Sequence, residues 1–169
     1  MSKGDLITAD ELREVLAYDP STGVFTWRIH QGFQSPSIGS VAGTDHSEGY
    51  RYICIRRRQY GAHRLAWLYM TGAWPAEDID HANCDRKDNH FANLREATRA
   101  QNNRNARLSR NSQSGRKGVS WCRQMRKWRA RIGIGGQTVI LGYFDDIDEA
   151  AATYAIAARN HHGEFARTE

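Results

Sequence analysis

The sequence predicts an α+β protein made of two small modules. Strand-like segments rich in β-branched and aromatic residues alternate with helix-forming segments along the chain. A small polar stretch, SRNSQSG at 109–115, separates two such groups and is the best candidate for a linker. The length of 169 residues suits one ordinary domain or two small ones. We therefore expect an N-terminal module at 1–108 and a C-terminal module at 116–169.

The N-terminal module is expected to open with a helix at 6–16, since Thr8 and Glu11 have the spacing of a capping box before an apolar stripe. The next predicted elements are a turn at 19–23, strands at 24–29 and 50–55, a hairpin that returns through a basic turn at 56–58, and a helix at 62–72 that stops at Gly72. We expect this part to be a scaffold without chemistry of its own, and the alternative is that residues 56–58 contribute DNA contacts.

Two very short predicted strands, DIDH at 78–81 and LREA at 94–97, flank a polar loop. Thr98 and Gln101 then form a second capping box, which predicts a helix from about residue 99 to about residue 108. The expected order is short strand, polar loop, short strand, helix.

The C-terminal module is predicted to be a three-stranded sheet covered by one helix. The expected elements are strands at 118–123, 127–134 and 138–144, with a tight turn at 135–137 before the third strand and a helix at 146–163 after it. The middle strand alternates sharply: Trp128, Ala130 and Ile132 point one way, and Lys127, Arg129 and Arg131 the other. The helix residues expected to cover the apolar face of the sheet are Ala150, Ala151, Tyr154 and Ala157.

Positive charge is concentrated in one part of the chain. The formal net charge is +5 and the pI about 9.3, yet 12 Lys and Arg and a single acid, Glu96, fall between Leu94 and Arg131. A local basic footprint of this kind is typical of nucleic-acid binding. The last 26 residues are mainly acidic, so we expect the C-terminal module to have a basic and an acidic face.

The cysteines and the hydropathy favour a cytoplasmic protein without a membrane partner. Cys54, Cys84 and Cys122 stand far apart and form no C-x-x-C pair, which is typical of reduced thiols and argues against a structural zinc knuckle. The sequence shows no apolar run long enough to span a bilayer and no apolar N-terminal signal segment.

The stretch IDHANCDRKDNHFAN at 79–93 combines oxygen ligands with an imidazole beside a carboxylate. Cutting a phosphodiester requires that water lose a proton near neutral pH and that charge on the leaving oxygen be stabilised. An imidazole with a pKa near its usual ~6.5 can take the proton, and a divalent ion can stabilise the oxygen. Mg²⁺ keeps several waters, so one carboxylate and one amide suffice as protein ligands. The candidates are Asp80, His81 and an asparagine of the following helix: Asn102, Asn103 or Asn105.

Two other metal sites fit the same stretch poorly. Asp80, Asp85 and Asp88 lack the glycine and the terminal glutamate that a calcium loop requires at fixed offsets. His81 with Cys84 would be half of a zinc site, and the sequence offers no second pair. We expect Asp85 and Asp88 to be solvated residues of the loop.

From about His63 to Asn105 the sequence resembles the HNH endonucleases of the ββα-metal fold, and in particular the phage and intron-encoded homing endonucleases. The likeness consists of AHRLAW, an Asp-His pair, Asn-Leu-Arg starting 12 residues past the His, and a Thr-capped helix with QNNRN. It implies that His81 is the general base and that Asn93 braces the loop. It also implies that Asp80 and Asn102 bind one Mg²⁺ or Mn²⁺, because the family spacing of 22 residues selects Asn102.

Residues 115–166 resemble the AP2 domain of plant transcription factors, which is also found fused to HNH nucleases. The likeness rests on KGV, KWRARI, LGYFDDIDEAAATYAIAA and HGEFA. It implies a sheet that lies in the DNA major groove, with the helix behind it. The candidate DNA-binding residues are Arg123, Arg126, Lys127, Arg129 and Arg131. The plant target sequence does not transfer, because the chain departs from the plant pattern at Ser120, Cys122, Gly133 and Ile140.

These inferences predict a metal-dependent, sequence-recognising DNA endonuclease of the homing type that acts on double-stranded DNA as a monomer or homodimer. A phage-encoded protein of this kind would work in the bacterial host cytoplasm. The rival hypothesis is a DNA-binding regulator with an inactive nuclease remnant. A third, a nonspecific or RNA-directed nuclease, would not need the AP2-like sheet.

Overall fold

The computed structural model of the chain describes residues 6–30, 36–109 and 111–168. The chain divides into two units, residues 1–98 and 99–169, each with its own hydrophobic core. The predicted linker at 109–115 lies inside the second unit, and its role as a domain boundary stays a prediction.

The N-terminal unit combines two helices with three small antiparallel sheets. Its elements are α1 (Ala9–Val15), β1 (Leu16–Asp19), β2 (Val24–Trp27), β3 (Thr44–Asp45), β4 (Arg51–Ile55), β5 (Arg58–Gly61), α2 (Ala62–Thr71), β6 (Asp78–His81), a 3₁₀ turn (Phe91–Asn93) and β7 (Leu94–Ala97). Within the described residues, β1 pairs with β2, β3 with β4 and β4 with β5, and β6 with β7.

The predicted capping box starts α1. The Thr8 hydroxyl accepts a hydrogen bond from the Glu11 amide at 3.3 Å, and the Glu11 carboxylate accepts one from the Thr8 amide at 2.9 Å. The helix is shorter than predicted, because Leu16 leaves the helical conformation and begins β1. Strands β1 and β3 were absent from the sequence-based prediction.

The hairpin between β4 and β5 turns at Arg56 and Arg57, as the basic segment predicted. Both residues are left-handed, with φ of 51° and 63°, which is the pattern of a two-residue type I′ turn. Helix α2 ends at Gly72 in the left-handed conformation, also as predicted.

The core of the first unit joins the N-terminal helix to the later elements. The largest fully buried side chains among the described residues are Phe25, Leu12, Leu16, Ile53, Ile55, Leu65 and Leu68. Ile79 of β6 and Leu94 of β7 belong to the same cluster. The two short strands that carry the candidate site are therefore anchored in this core.

The C-terminal unit has the predicted sheet with one helix against it. Its elements are α3 (Arg99–Asn105), β8 (Val119–Cys122), β9 (Lys127–Ile134), β10 (Gln137–Phe144), α4 (Ile147–His162) and a 3₁₀ turn (Gly163–Phe165). The antiparallel strand order is β10-β9-β8. Ala150, Tyr154 and Ala158 of α4 are buried against Val119, Ala130 and Ile132 of the sheet. Helix α3 is shorter than the predicted span of 99–108.

Candidate active site

The residues predicted to carry the chemistry lie on the antiparallel ribbon of β6 and β7. The register pairs Asp78 with Ala97, Ile79 with Glu96, Asp80 with Arg95 and His81 with Leu94. Successive side chains within a regular strand point to opposite faces, so Asp80 and His81 can serve one site only because β6 ends at His81. Both are buried, with relative exposures of 5% and 3%. His81 is the last residue of β6 and leads directly into the polar loop.

Arg95 holds the carboxylate of Asp80 across the ribbon. Its Nε and Nη2 both donate to Oδ2 of Asp80, at 3.0 and 2.9 Å. A buried charge requires a partner, and a guanidinium fork also fixes the direction of a carboxylate. The sequence-based site omitted Arg95, although placing DIDH antiparallel to LREA sets the two residues side by side.

His81 is present as a neutral imidazole near neutral pH. Burial lowers its pKa below the usual value, and this effect is opposed by a hydrogen bond with Asn89 and by the charge of Asp80. Nε2 of His81 lies 3.2 Å from Oδ1 of Asn89. A neutral imidazole has one nitrogen that can accept a proton, which is the state that a general base needs.

Two further rings lie beside His81, and a guanidinium lies over one of them. The ring centroids of His63 and Tyr50 lie 5.4 and 6.0 Å from that of His81, and the Arg86 guanidinium carbon lies 4.6 Å from the Tyr50 centroid. Burial lowers the pKa of His63 to about 3, with smaller contributions from His81 and Arg64. His63 therefore adds no second imidazolium beside His81 at neutral pH.

Asn93 ties the loop together after the 3₁₀ turn. Its Oδ1 accepts from the Asn83 amide at 3.0 Å, and its Nδ2 donates to Oδ1 of Asn83 at 3.1 Å and to the Asp88 carbonyl at 2.8 Å. Its own carbonyl accepts from the Ala82 amide at 2.9 Å. These bonds join the first residues after His81 to the end of the loop.

The two loop aspartates are more than solvated residues, contrary to the expectation from the sequence. Oδ1 of Asp85 accepts from the Lys87 amide at 3.0 Å, and Oδ2 of Asp88 accepts from Nδ2 of Asn83 at 2.6 Å. Asp88 also pairs with His90, and this hydrogen bond is the main cause of its lowered pKa. Both aspartates shape the loop around the site.

The three helix asparagines lie on α3, in the C-terminal unit. Asn102 is half-buried, Asn103 is exposed and Asn105 is buried. The pairing of Asn102 with Asp80 at one metal stays a prediction, because the two residues belong to different units.

The donor chemistry at Asp80 fits a hard divalent cation. Carboxylate oxygen is the ligand type that Mg²⁺ prefers, and Mg²⁺ keeps several of its waters. In the part of the chain that the structure describes, no group of three or more His, Cys, Asp or Glu side chains is placed to hold a metal. A cation bound to Asp80 would share this carboxylate with Arg95, and its remaining ligands would be amide and water oxygens.

The candidate DNA-binding residues of the C-terminal unit occupy two neighbouring places. Lys127, Arg129 and Arg131 alternate with the residues that face α4, so they lie on the open face of β9. Arg123 and Arg126 are exposed in the turn between β8 and β9. Nζ of Lys127 lies 3.0 Å from the Asp145 carboxylate, and this ion pair neutralises part of the Lys127 charge.

Two residues of the same face were not among the candidate DNA-binding residues, although Ile140 was noted as a departure from the plant pattern. Ile140 of β10 pairs with Arg131, Tyr143 pairs with Arg129, and both β10 side chains are exposed. A register irregularity between Ile140 and Gly142 sets this alignment, and simple alternation along the strand does not foresee it. The open face therefore combines basic side chains with an apolar and an aromatic one.

Residues 60–104 match the HNH endonuclease family. This segment runs from the end of the first unit's hairpin through the ribbon into α3, and it contains Asp80, His81, Asn93 and Asn102. The mixed α and β fold with small antiparallel sheets is consistent with an HNH domain, and the family match suggests DNA endonuclease activity.

The chain belongs to the family of protein 3.8 of Escherichia phage T7. It is 30% identical to that protein over 106 residues, which cover 62% of this chain and 87% of the relative. No solved structure matches the chain. Among the described residues, no helix is both long and apolar enough to cross a lipid bilayer.

Proposed function

We propose that the chain is a metal-dependent DNA endonuclease of the homing type, which hydrolyses phosphodiester bonds in double-stranded DNA. One observation carries the proposal: a buried neutral imidazole, His81, follows a buried carboxylate, Asp80, inside the segment that matches the HNH endonuclease family. A nuclease needs a proton acceptor beside a ligand for a hard cation.

His81 is the proposed general base. Its burial keeps the imidazole unprotonated at neutral pH, so it is ready to take a proton from the attacking water. The neighbouring His63 is also neutral, since burial lowers its pKa to about 3. The pair therefore adds no positive charge that would resist the proton transfer.

Asp80 and Asn102 are the proposed ligands of one Mg²⁺ or Mn²⁺. A bound divalent cation supplies Lewis-acid charge at the leaving 3′ oxygen of the scissile phosphate. Arg95 directs the Asp80 carboxylate through two bonds to one oxygen. Asn93 keeps the loop beside His81 closed through its bonds to Asn83 and Asp88.

Sequence recognition is proposed to come from the AP2-like sheet of the C-terminal unit. Arg129 and Arg131 on the open face suit bidentate contacts to guanine or phosphate, and Arg123, Arg126 and Lys127 at its end suit phosphate contacts. Neutralising phosphates with the 12 basic residues between Leu94 and Arg131 would make the affinity strongly dependent on salt. A monomer with one catalytic centre would nick DNA or cut the two strands one after the other.

The rival proposal, a DNA-binding regulator with an inactive nuclease remnant, predicts binding without cleavage. The intact set of Asp80, His81, Asn93 and Asn102 argues for the enzyme. The phage relative makes the bacterial cytoplasm the proposed place of action.

Plasmid cleavage separates the two proposals. Purified chain is incubated with supercoiled plasmid carrying candidate target sites, with Mg²⁺ or Mn²⁺ and with EDTA. We expect cleavage in the presence of metal and its loss in His81→Ala. His161→Ala is the matched control, because His161 is an exposed histidine of α4. A wild-type chain that shifts a specific DNA sequence but leaves all DNA intact would establish the regulator instead.

A further inference from the structure

Asn89 is a buried polar residue of the loop for which the sequence suggested no role. Its relative exposure is 2%, and its side chain contacts the proposed base directly. Its main chain is held separately, because the Tyr18 hydroxyl donates to the Asn89 carbonyl at 2.7 Å. Tyr18 lies on β1, so this bond links the loop to the N-terminal scaffold.

The two ends of the Asn89 amide have different partners. Nδ2 donates to the Lys87 carbonyl at 3.2 Å, and Oδ1 faces Nε2 of His81 at 3.2 Å. Turning the amide over would set Oδ1 against the Lys87 carbonyl, and two acceptors repel each other. The hydrogen-bond pattern therefore assigns the oxygen to the histidine side.

An amide oxygen can only accept a hydrogen bond, so the neutral His81 must donate its proton from Nε2. The proton-accepting lone pair is then on Nδ1. We propose that Asn89 is a positioning residue, which fixes His81 in the Nε2–H tautomer and so makes Nδ1 the nitrogen that accepts the proton from water. The claim that Nδ1 accepts a proton from water rests on the proposed nuclease function, whereas the assignment of the Nε2–H tautomer does not.

The side chain of Asn89 is not needed to close the loop. Asn93 already joins the loop to its own start through Asn83 and Asp88, and Tyr18 holds the main chain of Asn89. A leucine of similar size would fill the buried space without the need for hydrogen-bond partners. What it would remove is the acceptor for His81.

The tautomer can be read directly in the metal-free chain by ¹⁵N NMR of labelled histidines above neutral pH, with the His81 signals assigned by their loss in His81→Ala. We expect the Nε2–H pattern in the wild type and in Asn89→Asp, which keeps an acceptor at this position. Asn89→Leu should shift His81 towards the Nδ1–H tautomer. Asn83→Ala is the matched control, since it disturbs the same loop but leaves the acceptor of His81 in place.

Cleavage kinetics complete the test. Asn89→Leu should lower kcat about 10- to 100-fold, the range seen when a metal-bound histidine loses the partner that orients it, with KM unchanged and with recovery in Asn89→Asp. An Nδ1–H tautomer in the wild type, or an unchanged tautomer in Asn89→Leu, would overturn the proposal. If Asn89→Leu does not fold, the wild-type and Asn89→Asp spectra still show whether His81 carries its proton on Nε2 when an acceptor faces that nitrogen. A wild type with the expected tautomer and no cleavage would refute the proposed function alone.

Discussion

Replacing Gly23 by alanine should damage the candidate site, although Gly23 itself has no chemistry. Its φ is +70°, and a Cβ there would lie 2.4 Å from the carbonyl carbon of Asn89 and 2.5 Å from the amide nitrogen of His90. Both are backbone atoms, so no side-chain rotation relieves the clash. The turn between β1 and β2 or the loop beside His81 must move.

Gly39→Ala provides the matched control for the size of this effect. Gly39 also has a positive φ, +82°, but nothing lies within 4 Å of the position that a Cβ would occupy there. A left-handed alanine costs about 1 kcal/mol or slightly more, and overpacking adds about 1–3 kcal/mol. We expect a loss of about 1 kcal/mol in Gly39→Ala and about 3 kcal/mol in Gly23→Ala. The difference of about 2 kcal/mol corresponds to about 30-fold in the unfolding equilibrium.

Urea unfolding followed by tryptophan fluorescence measures the free energy of unfolding, and plasmid cleavage reports on the site. Gly23→Ala should lose more stability and most of its cleavage, whereas Gly39→Ala should cut DNA at the wild-type rate. Equal losses in the free energy of unfolding would show that the contact of a Cβ at residue 23 with the backbone of Asn89 and His90 costs nothing, which would refute the prediction.

Three further predictions concern the loop, the first helix and the open sheet face. Asn93→Ala should destabilise the loop by about 2 kcal/mol, because three side-chain hydrogen bonds are lost from a partly exposed site; hydrogen exchange localised to residues 82–93 measures this, and unchanged protection would contradict it. Hydrogen bonds from Thr8 are the main reason why the pKa of Glu11 falls from 4.5 to about 2. The ionised Glu11 carboxylate therefore stabilises the fold fully above pH 4.5, and this stabilisation is lost as the pH falls towards 2. The melting temperature of Glu11→Gln should therefore depend less on pH in that window than that of the wild type, and parallel curves would refute this. Arg131→Ala should weaken binding to a selected DNA target by about 1–3 kcal/mol without changing Mn²⁺ affinity, while Arg159→Ala on α4 should leave DNA affinity unchanged in the same titration.

Regular periodicity made much of the fold predictable from the sequence. The alternation of apolar and basic residues placed β9 at the observed Lys127–Ile134, and the capping box placed the start of α1. Strand β1 was missed because Leu16 fits both the apolar stripe of a helix and the first buried position of a strand. Such local ambiguity is resolved only by the pairing with β2, which is a tertiary event.

Residue type and spacing were enough to propose the residues of the candidate site, but not the partners that hold them. Asp80 and His81 follow from their chemistry and position, but the partnership of Arg95 with Asp80 requires the ribbon register. Asn89 has no periodic or motif signal, since its importance comes from where the loop folds back on His81. A side chain whose role is to orient another residue has no recognisable motif or spacing in a single sequence.

The hydrogen bonds of the N-terminal segment to the loop and to Trp74 mean that residues 60–104 are not a self-contained unit. Outside the family match at 60–104, Tyr18 binds the Asn89 carbonyl, the Pro20 carbonyl accepts from the Phe91 amide at 3.2 Å, and the Ile7 carbonyl accepts from the Trp74 indole at 3.0 Å. A two-stranded ribbon alone is marginally stable in water. We therefore expect a fragment of residues 60–104 alone not to fold stably in another protein. The smallest fragment that keeps these bonds must include the N-terminal segment with Ile7, Tyr18 and Pro20.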